Sequence, residues 1–283
     1  QLKETYTIMA IYIQTNMTNI STARHLNGAG KMNKQASNRV SSGMRINSAA
    51  DDAANSGVSS NLTSNSQSSK QATKNINDGI SMLNVAEEAT SSAANSVKRM
   101  RELAVMGSSE TLASTERQYI QAEFESLVET VDDLANNTLF NSKQLIDGNS
   151  PTIGVQAGIN GTSNDLITLS MGDISIQTIG IDTASIDMST LTGARDAIGK
   201  LDNALNSLNE YRSEYGAKGR ALDSAISNME IYDEALTGAA SRLMDADFAQ
   251  ETAELSKTSI MVQAGTSILA QGSQLSQGVM SLL

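Results

Sequence analysis

The apolar positions Ile120, Phe124, Leu127, Val131 and Leu134 advance by four, three, four and three residues. That spacing lines one face of an α-helix. Leu191, Ala194, Ile198, Leu201, Leu205 and Leu208 repeat the rhythm, Leu222, Ile226 and Met229 carry it past Gly216 and Gly219, and Ile76, Ile80 and Leu83 mark an earlier helix. Near the end, Leu255, Val262 and Leu269 step by sevens, and Ile268, Leu275 and Leu282 form a second seven-residue track beside them. Sevenfold steps predict seams against other helices.

The middle changes period. Ile153, Val155, Ala157 and Ile159 alternate, Asn160-Gly161 offers a two-residue turn, and Leu166 to Leu169 supplies β-formers for a returning strand. Pro151 and many Gly, Asp, Ser and Thr residues punctuate the same stretch. The layout is helices, a β insert over about 141–190, then helices.

Composition narrows what such a chain does. Aromatic residues are only 3% of it, which is thin for two ordinary globular cores in 283 residues. The net charge of −11 leaves little basic surface for a nucleic acid or an anionic membrane. Without cysteine there is no disulfide, thiolate zinc site or cysteine nucleophile, and His25 is the one histidine. An enzyme is therefore the poorer expectation. No classical signal peptide is visible at the start, so export would use another route. Thr258 to Leu283 carries no charge, yet Gln263, Gln271, Gln274, Gln277 and three glycines interrupt any membrane-spanning run.

That uncharged tail is also a poor helix alone, because each glycine costs about 1 kcal/mol against alanine and an isolated helix buries no seam. Its helical state needs neighbours. The expectation is folding coupled to assembly.

Particular residues then say more than the pattern. The run Ser41-Ser42-Gly43-Met44-Arg45-Ile46-Asn47-Ser48-Ala49-Ala50-Asp51-Asp52-Ala53-Ala54 resembles a signature of the bacterial flagellins, and Met9 to Asn16 is similar to their opening segment. Ser241 to Ala249, Gln263 to Ser267 and Ser281-Leu282-Leu283 resemble their closing segment. The resemblance covers nearly the whole chain.

It implies a mainly α fold with a small β-hairpin region. Long paired N- and C-terminal helices, coiled-coil-like, would form a filament core, and an outer helical bundle would surround it. Mapped here, about 9–47 with 244–283 would be the inner domain, 48–243 the outer one, and 1–8 an N-terminal extension. Too little chain lies between Asn141 and Thr190 for the large variable outer domains of longer members. Ile13, Ile20, Leu255, Val262, Ile268, Leu269, Leu275 and Leu282 would belong to the assembly core, with Arg45, Asn47, Asp51, Asp52, Asp245 and Asp247 as signature residues. Implied partners are further copies of the chain, the flagellar export apparatus, an export chaperone, cap and junction proteins, and other flagellins. The implied location is the extracellular flagellum, with no cofactor, no nucleic acid and no membrane. The alternative within the same family is a hook-filament junction protein.

Two departures matter. Gly28, Gly30 and Asn33 weaken helix propensity and predict a local break or a looser helix near 28–30. Gly272-Ser273-Gln274 stands where Ala-Asn-Gln is common in the family.

The chemical candidates have plainer alternatives. His25 sits beside Arg24 with no second ligand near it, and Asp245-Ala246-Asp247 lacks the later glycine and glutamate of a calcium loop. Asp51 and Asp52 read as turn or first-turn carboxylates with Arg45 as an ion-pair partner. Lys98 to Val105 resembles the segment through which flagellins meet Toll-like receptor 5, and the resemblance carries that role, or a contact between protofilaments, to Arg99, Leu103 and Glu123. Thr162 and Ser163 read as solubilising hydroxyls or, by the resemblance, as O-glycosylation acceptors.

Overall fold

A computed structural model of the protein describes residues 16–149 and 152–280, with side chains to Gln274. The elements are α1 (Met17–Ser42), α2 (Ala53–Gly107), α3 (Ser114–Asn137), β1 (Leu139–Phe140), β2 (Lys143–Gln144), β3 (Thr152–Gln156), β4 (Leu166–Ser170), α4 (Leu191–Met244) and α5 (Phe248–Met280). They divide into two compact units. Unit 1 takes the described residues up to Thr63 and from Leu236, and unit 2 takes Ser64–Ala235. The chain thus divides partway along α2 and α4, whereas the inner–outer boundary implied by the family resemblance is near 47/48 and 243/244.

Unit 2 realises the apolar spacing read from the sequence. On α3, Ile120, Phe124, Val128, Val131 and Ala135 are buried, with Leu127 and Leu134 packed at the margin. Ile76, Leu83, Val97, Met100 and Leu103 of α2 and Leu201, Leu208, Tyr215 and Leu222 of α4 complete the same core. The Glu116 carboxylate accepts the Ala113 N–H at 2.9 Å, closing the first turn of α3 from the side that a capping box uses.

The expected hairpin is present. β3 and β4 pair antiparallel, with Ile153 opposite Leu169 and Val155 opposite Ile167. Val155 and Leu169 are buried while Thr152, Gly154, Leu166 and Thr168 face out, so the period of two does decide the faces. The connection departs from the predicted Asn160-Gly161 turn. Ala157 and Gly158 donate to the Asp165 carbonyl, a 3-10 turn occupies Ser163–Asp165, and Gln156 Nε2 donates to the Gly158 and Asn160 carbonyls. Hydrogen bonds from the strand end thus tie down a longer loop. A second, shorter ladder of β1 and β2 straddles the start of the expected β region. It turns on Asn141 (φ 48°) and Ser142 (φ 64°), a left-handed pair that suits a tight hairpin.

Residues 171–190, read from sequence as punctuation, pack into the core. Asp173, Asp182 and Asp187 each accept a backbone N–H two residues on, from Ser175, Ala184 and Ser189 at 2.7 to 2.9 Å. These local turns satisfy the backbone, and Ile174, Ile181, Ile186 and Met188 are buried between them. Gly172 is glycine for want of space, since a Cβ there would enter the Tyr211 ring, and its N–H donates to the Tyr215 hydroxyl at 2.8 Å.

Unit 1 is built on α1 and α5, which pair along their length. The predicted break at 28–30 does not occur, and α1 runs unbroken from Met17 to Ser42. Gly28 and Gly30 face open space, so their cost is propensity alone. Pairing with α5 offsets it.

Candidate functional site: an assembly interface

The sevenfold steps on α5 extend to polar and small residues that hydropathy does not flag. Leu255, Thr258, Val262, Gly265, Leu269 and Gly272 form one stripe of alternating three- and four-residue steps, each buried or half-buried. The facing residues on α1 also step by sevens. Asn33 meets Thr258, Leu26 lies over Gly265, and Asn19 lies beside Gly272. The helices are therefore antiparallel.

Polar contacts set the register of this pair. Asn33 Nδ2 donates to Thr258 Oγ1 at 3.1 Å and Ser259 Oγ at 2.9 Å, and Thr258 is fully buried. Further along, Arg39 Nη1 meets Glu251 Oε1 at 3.1 Å. A polar residue at a seam position specifies pairing at some expense of stability. Asn33 does that here. The seam is also narrow, with Ala29 and Ala36 the buried residues of α1.

Most large apolar side chains of the pair lie elsewhere. Ile20 is 46% exposed and Met32 45% on α1, while Ile260 is 66% and Ile268 50% exposed on α5. Each side chain of this size gains about 1.5–3 kcal/mol on full burial, so two helices with several left in water are an incomplete core. Ile13, the side chain of Leu275, and Leu282 lie outside the described residues.

The signature residues gather where the helices break. Gly43, in the left-handed conformation (φ 70°), ends α1 and donates its N–H to the Arg39 carbonyl at 2.8 Å. The strand-like stretch after it pairs with the one that separates α4 from α5. Arg45 N–H donates to the Met244 carbonyl at 2.6 Å, Ala246 N–H to the Gly43 carbonyl at 2.9 Å, and Arg45 Nη2 to the Leu243 carbonyl at 2.9 Å. Arg45 thus binds backbone and does not form the expected ion pair with Asp51 or Asp52. Its reach goes to the end of α4, whose unpaired carbonyls call for a cation.

Asp51 organises the loop. Its Oδ2 accepts from the Ser48 hydroxyl and from the backbone N–H groups of Asn47 and Ser48, at 3.0 to 3.2 Å. The Ser48 hydroxyl, with those N–H groups and the charge of Arg39, holds the Asp51 carboxyl below the usual carboxylate range. Asp52 precedes α2 and accepts the Asn55 N–H at 3.0 Å, which lowers its pKa as well. Asp247 caps α5 through the N–H groups of Ala249 and Gln250, and Asp245 accepts from the Ser241 hydroxyl. Asn47 Nδ2 donates to the Asn38 carbonyl and to Ser42 Oγ. All six signature residues serve one clasp.

In unit 2, Arg99 bridges Glu123 of α3 at 2.7 Å and Glu102 at 3.0 Å, all three on the surface. Glu123 and then Glu102 raise the Arg99 pKa. Leu103 does not join them. Only 1% exposed, it is a core residue of α2 and presents nothing to a partner. Thr162 and Ser163 are exposed in the β3–β4 connection, with the Thr162 hydroxyl donating to Asp165 at 2.7 Å. His25 is exposed on α1. Among the described residues no three His, Cys, Asp or Glu side chains come together as metal ligands, and no helix is long and apolar enough to cross a membrane.

The fold and its open faces define a class: a largely helical structural chain whose terminal helices form a heptad-spaced pair. The comparisons narrow it. The family described as bacterial flagellin N-terminal helical region matches residues 13–151, and the bacterial flagellin C-terminal helical region matches 198–283. The flagellin of Halalkalibacterium halodurans is 34% identical over 96% of this chain and 99% of its own length. The flagellar filament 33 kDa core protein of Treponema phagedenis is 30% identical over 96% and 99%. The crystal structure of Bacillus cereus flagellin is similar at 27% identity, covering 55% of this chain and 88% of that one with a TM-score of 0.49. The chain belongs to the bacterial flagellin family, a family of structural proteins.

Proposed function

We propose that this chain polymerises with identical copies into the flagellar filament, where the assembled tube transmits motor torque to the surrounding fluid. The observation that carries the reading is the pair α1–α5, held in register by Asn33 and Thr258 while Ile20, Met32, Ile260 and Ile268 remain in water. Neighbouring copies supply the missing cover. Contacts of this kind join unlike faces of successive subunits, and when they do not close into a ring they give an open helical polymer. Ile20, Leu255, Val262, Ile268 and Leu269, with Ile13, Leu275 and Leu282, belong to that inner layer, and 48–243 lies outside it.

The finer roles follow from the same reading. The monomer leaves the cell through the flagellar export apparatus, escorted by a chaperone, and adds beneath a cap above the junction proteins. Arg99 and Glu123 serve contacts between neighbouring protofilaments and, in the free monomer, recognition by Toll-like receptor 5. Thr162 and Ser163 are accessible for glycosylation. α1 and α5 gain their full rigidity on addition to the filament.

Electron microscopy of the purified chain, driven to assemble by sulfate, tests the central claim. Long homopolymers are expected; a chain that stays monomeric or forms only short closed assemblies overturns it. Hydrogen exchange tests the coupled ordering. Amides of α1 and α5 are expected to exchange faster in dilute monomer than in filaments, and equal protection removes the coupling.

A further inference from the structure

The clasp leaves a concavity of about 500 Å³ beside the C-terminal half of α1, with Lys31, Lys34, Asn38, Arg39, Asn47 and Asp51 around it. Its charge is unbalanced. α1 carries Arg24, Lys31, Lys34 and Arg39 and no Asp or Glu. Asp51 is the one carboxylate at the rim, and it is already committed: Oδ2 to Ser48 and two backbone N–H groups, Oδ1 to Gln35 Nε2 at 3.2 Å. Arg39 spends Nη1 on Glu251, while its buried Nε has no hydrogen-bond partner. Lys31 and Lys34 form no ion pair among the described residues.

Two exposed ammonium groups beside an open concavity, with no ion-pair partner among the described residues, call for carboxylates from outside. The rest of the chain holds them in excess. Unit 2 has 12 Lys and Arg against 24 Asp and Glu, a net −12, whereas the described residues of unit 1 have 7 against 6. Resting on the filament reading above, we infer that this basic concavity seats acidic side chains of a second copy of the chain, as one of the contacts that orient an incoming subunit. Opposite charges on unlike surfaces favour addition in one orientation and repel the reversed one.

The test is seeded elongation of full-length protein from sheared filaments, with the critical concentration read by pelleting. The variants are Lys31→Gln/Lys34→Gln and Lys31→Glu/Lys34→Glu, whose surface positions leave monomer helicity, followed by circular dichroism, unchanged. Raising NaCl from about 20 to about 200 mM shortens the screening length from about 20 to about 7 Å. At low salt the Gln variant is expected to start about threefold and the Glu variant about tenfold above wild type. Over that range both gaps are expected to narrow to about twofold or less, because screening weakens the lysine–carboxylate contact while it acts alike on the general repulsion between copies of net charge −11. Variants that elongate at the wild-type concentration with the wild-type salt slope overturn the inference and leave the filament reading standing. So does calorimetry in which free inorganic phosphate binds the wild-type monomer and not the Gln variant while both elongate alike, since the concavity then serves a soluble anion. A wild-type chain that never polymerises overturns the filament reading itself, and this inference with it.

Discussion

Replacing Ile260 and Ile268 together by alanine isolates the open face of α5. Each substitution removes three carbons, worth about 0.8 kcal/mol apiece when buried, or about 2.4 kcal/mol per side chain. The monomer already covers the fraction that is not exposed, so the part still to be gained in a polymer scales with the exposed 66% and 50%. The sum is about 2.8 kcal/mol. At about 1.4 kcal/mol per tenfold, the critical concentration for assembly rises about a hundredfold. Alanine is the better helix former, so a weaker helix cannot be the cause. Pelleting across a dilution series gives the critical concentration, and a thermal melt of the monomer gives the control. A double variant that assembles within about threefold of wild type, with its monomer intact, refutes the claim that neighbours cover this face.

Three further outcomes follow from the clasp and the core. Gly43→Ala meets no atom within 4 Å but must hold φ near 70°, at about 1 kcal/mol. Amides in the last turn of α1 should then exchange about fivefold faster, and unchanged exchange would mean that the left-handed cap does not end the helix. The Asp51 and Asp52 carboxyls titrate below 3.8 in the folded chain, so their contribution is complete above the unfolded value and is lost as pH falls through 3.8 and the lower folded value. Exchange across residues 43–52, corrected for intrinsic rates, should therefore be flat above about pH 5 and accelerate below it, with Asp51→Asn weakening that dependence. Gly172→Ala drives a methyl into the Tyr211 ring, and unit 2 should lose about 1–3 kcal/mol in denaturant unfolding with α1 and α5 unaffected.

The sequence by itself determined the helices of unit 2, because a three-four rhythm of large apolar residues has one stable outcome, and Ile120, Phe124 and Val131 are buried as that rhythm requires. It determined the β3–β4 pair by the same logic at a period of two, and it carried the family in its signature runs. It did not reveal the jobs of those signature residues. Arg45 and Asp245 act across a gap of roughly two hundred positions, and only the folded chain shows that the break after α1 is hydrogen-bonded to the break before α5.

Three expectations gave way in the folded chain. Gly28 and Gly30 promised a break, but α5 lies alongside and the helix continues. The family resemblance carries a contact role to Leu103 along with Arg99 and Glu123, yet its own position faces the core. The punctuated stretch after β4 reads as loop, but Asp173, Asp182 and Asp187 satisfy the backbone locally and free its isoleucines for burial. Propensity, period and charge are properties of neighbouring residues, and a sequence displays them directly. Which seam Asn33 and Thr258 share, and which isoleucines of α5 stay wet, depend on what lies across space, and that is decided by tertiary packing alone.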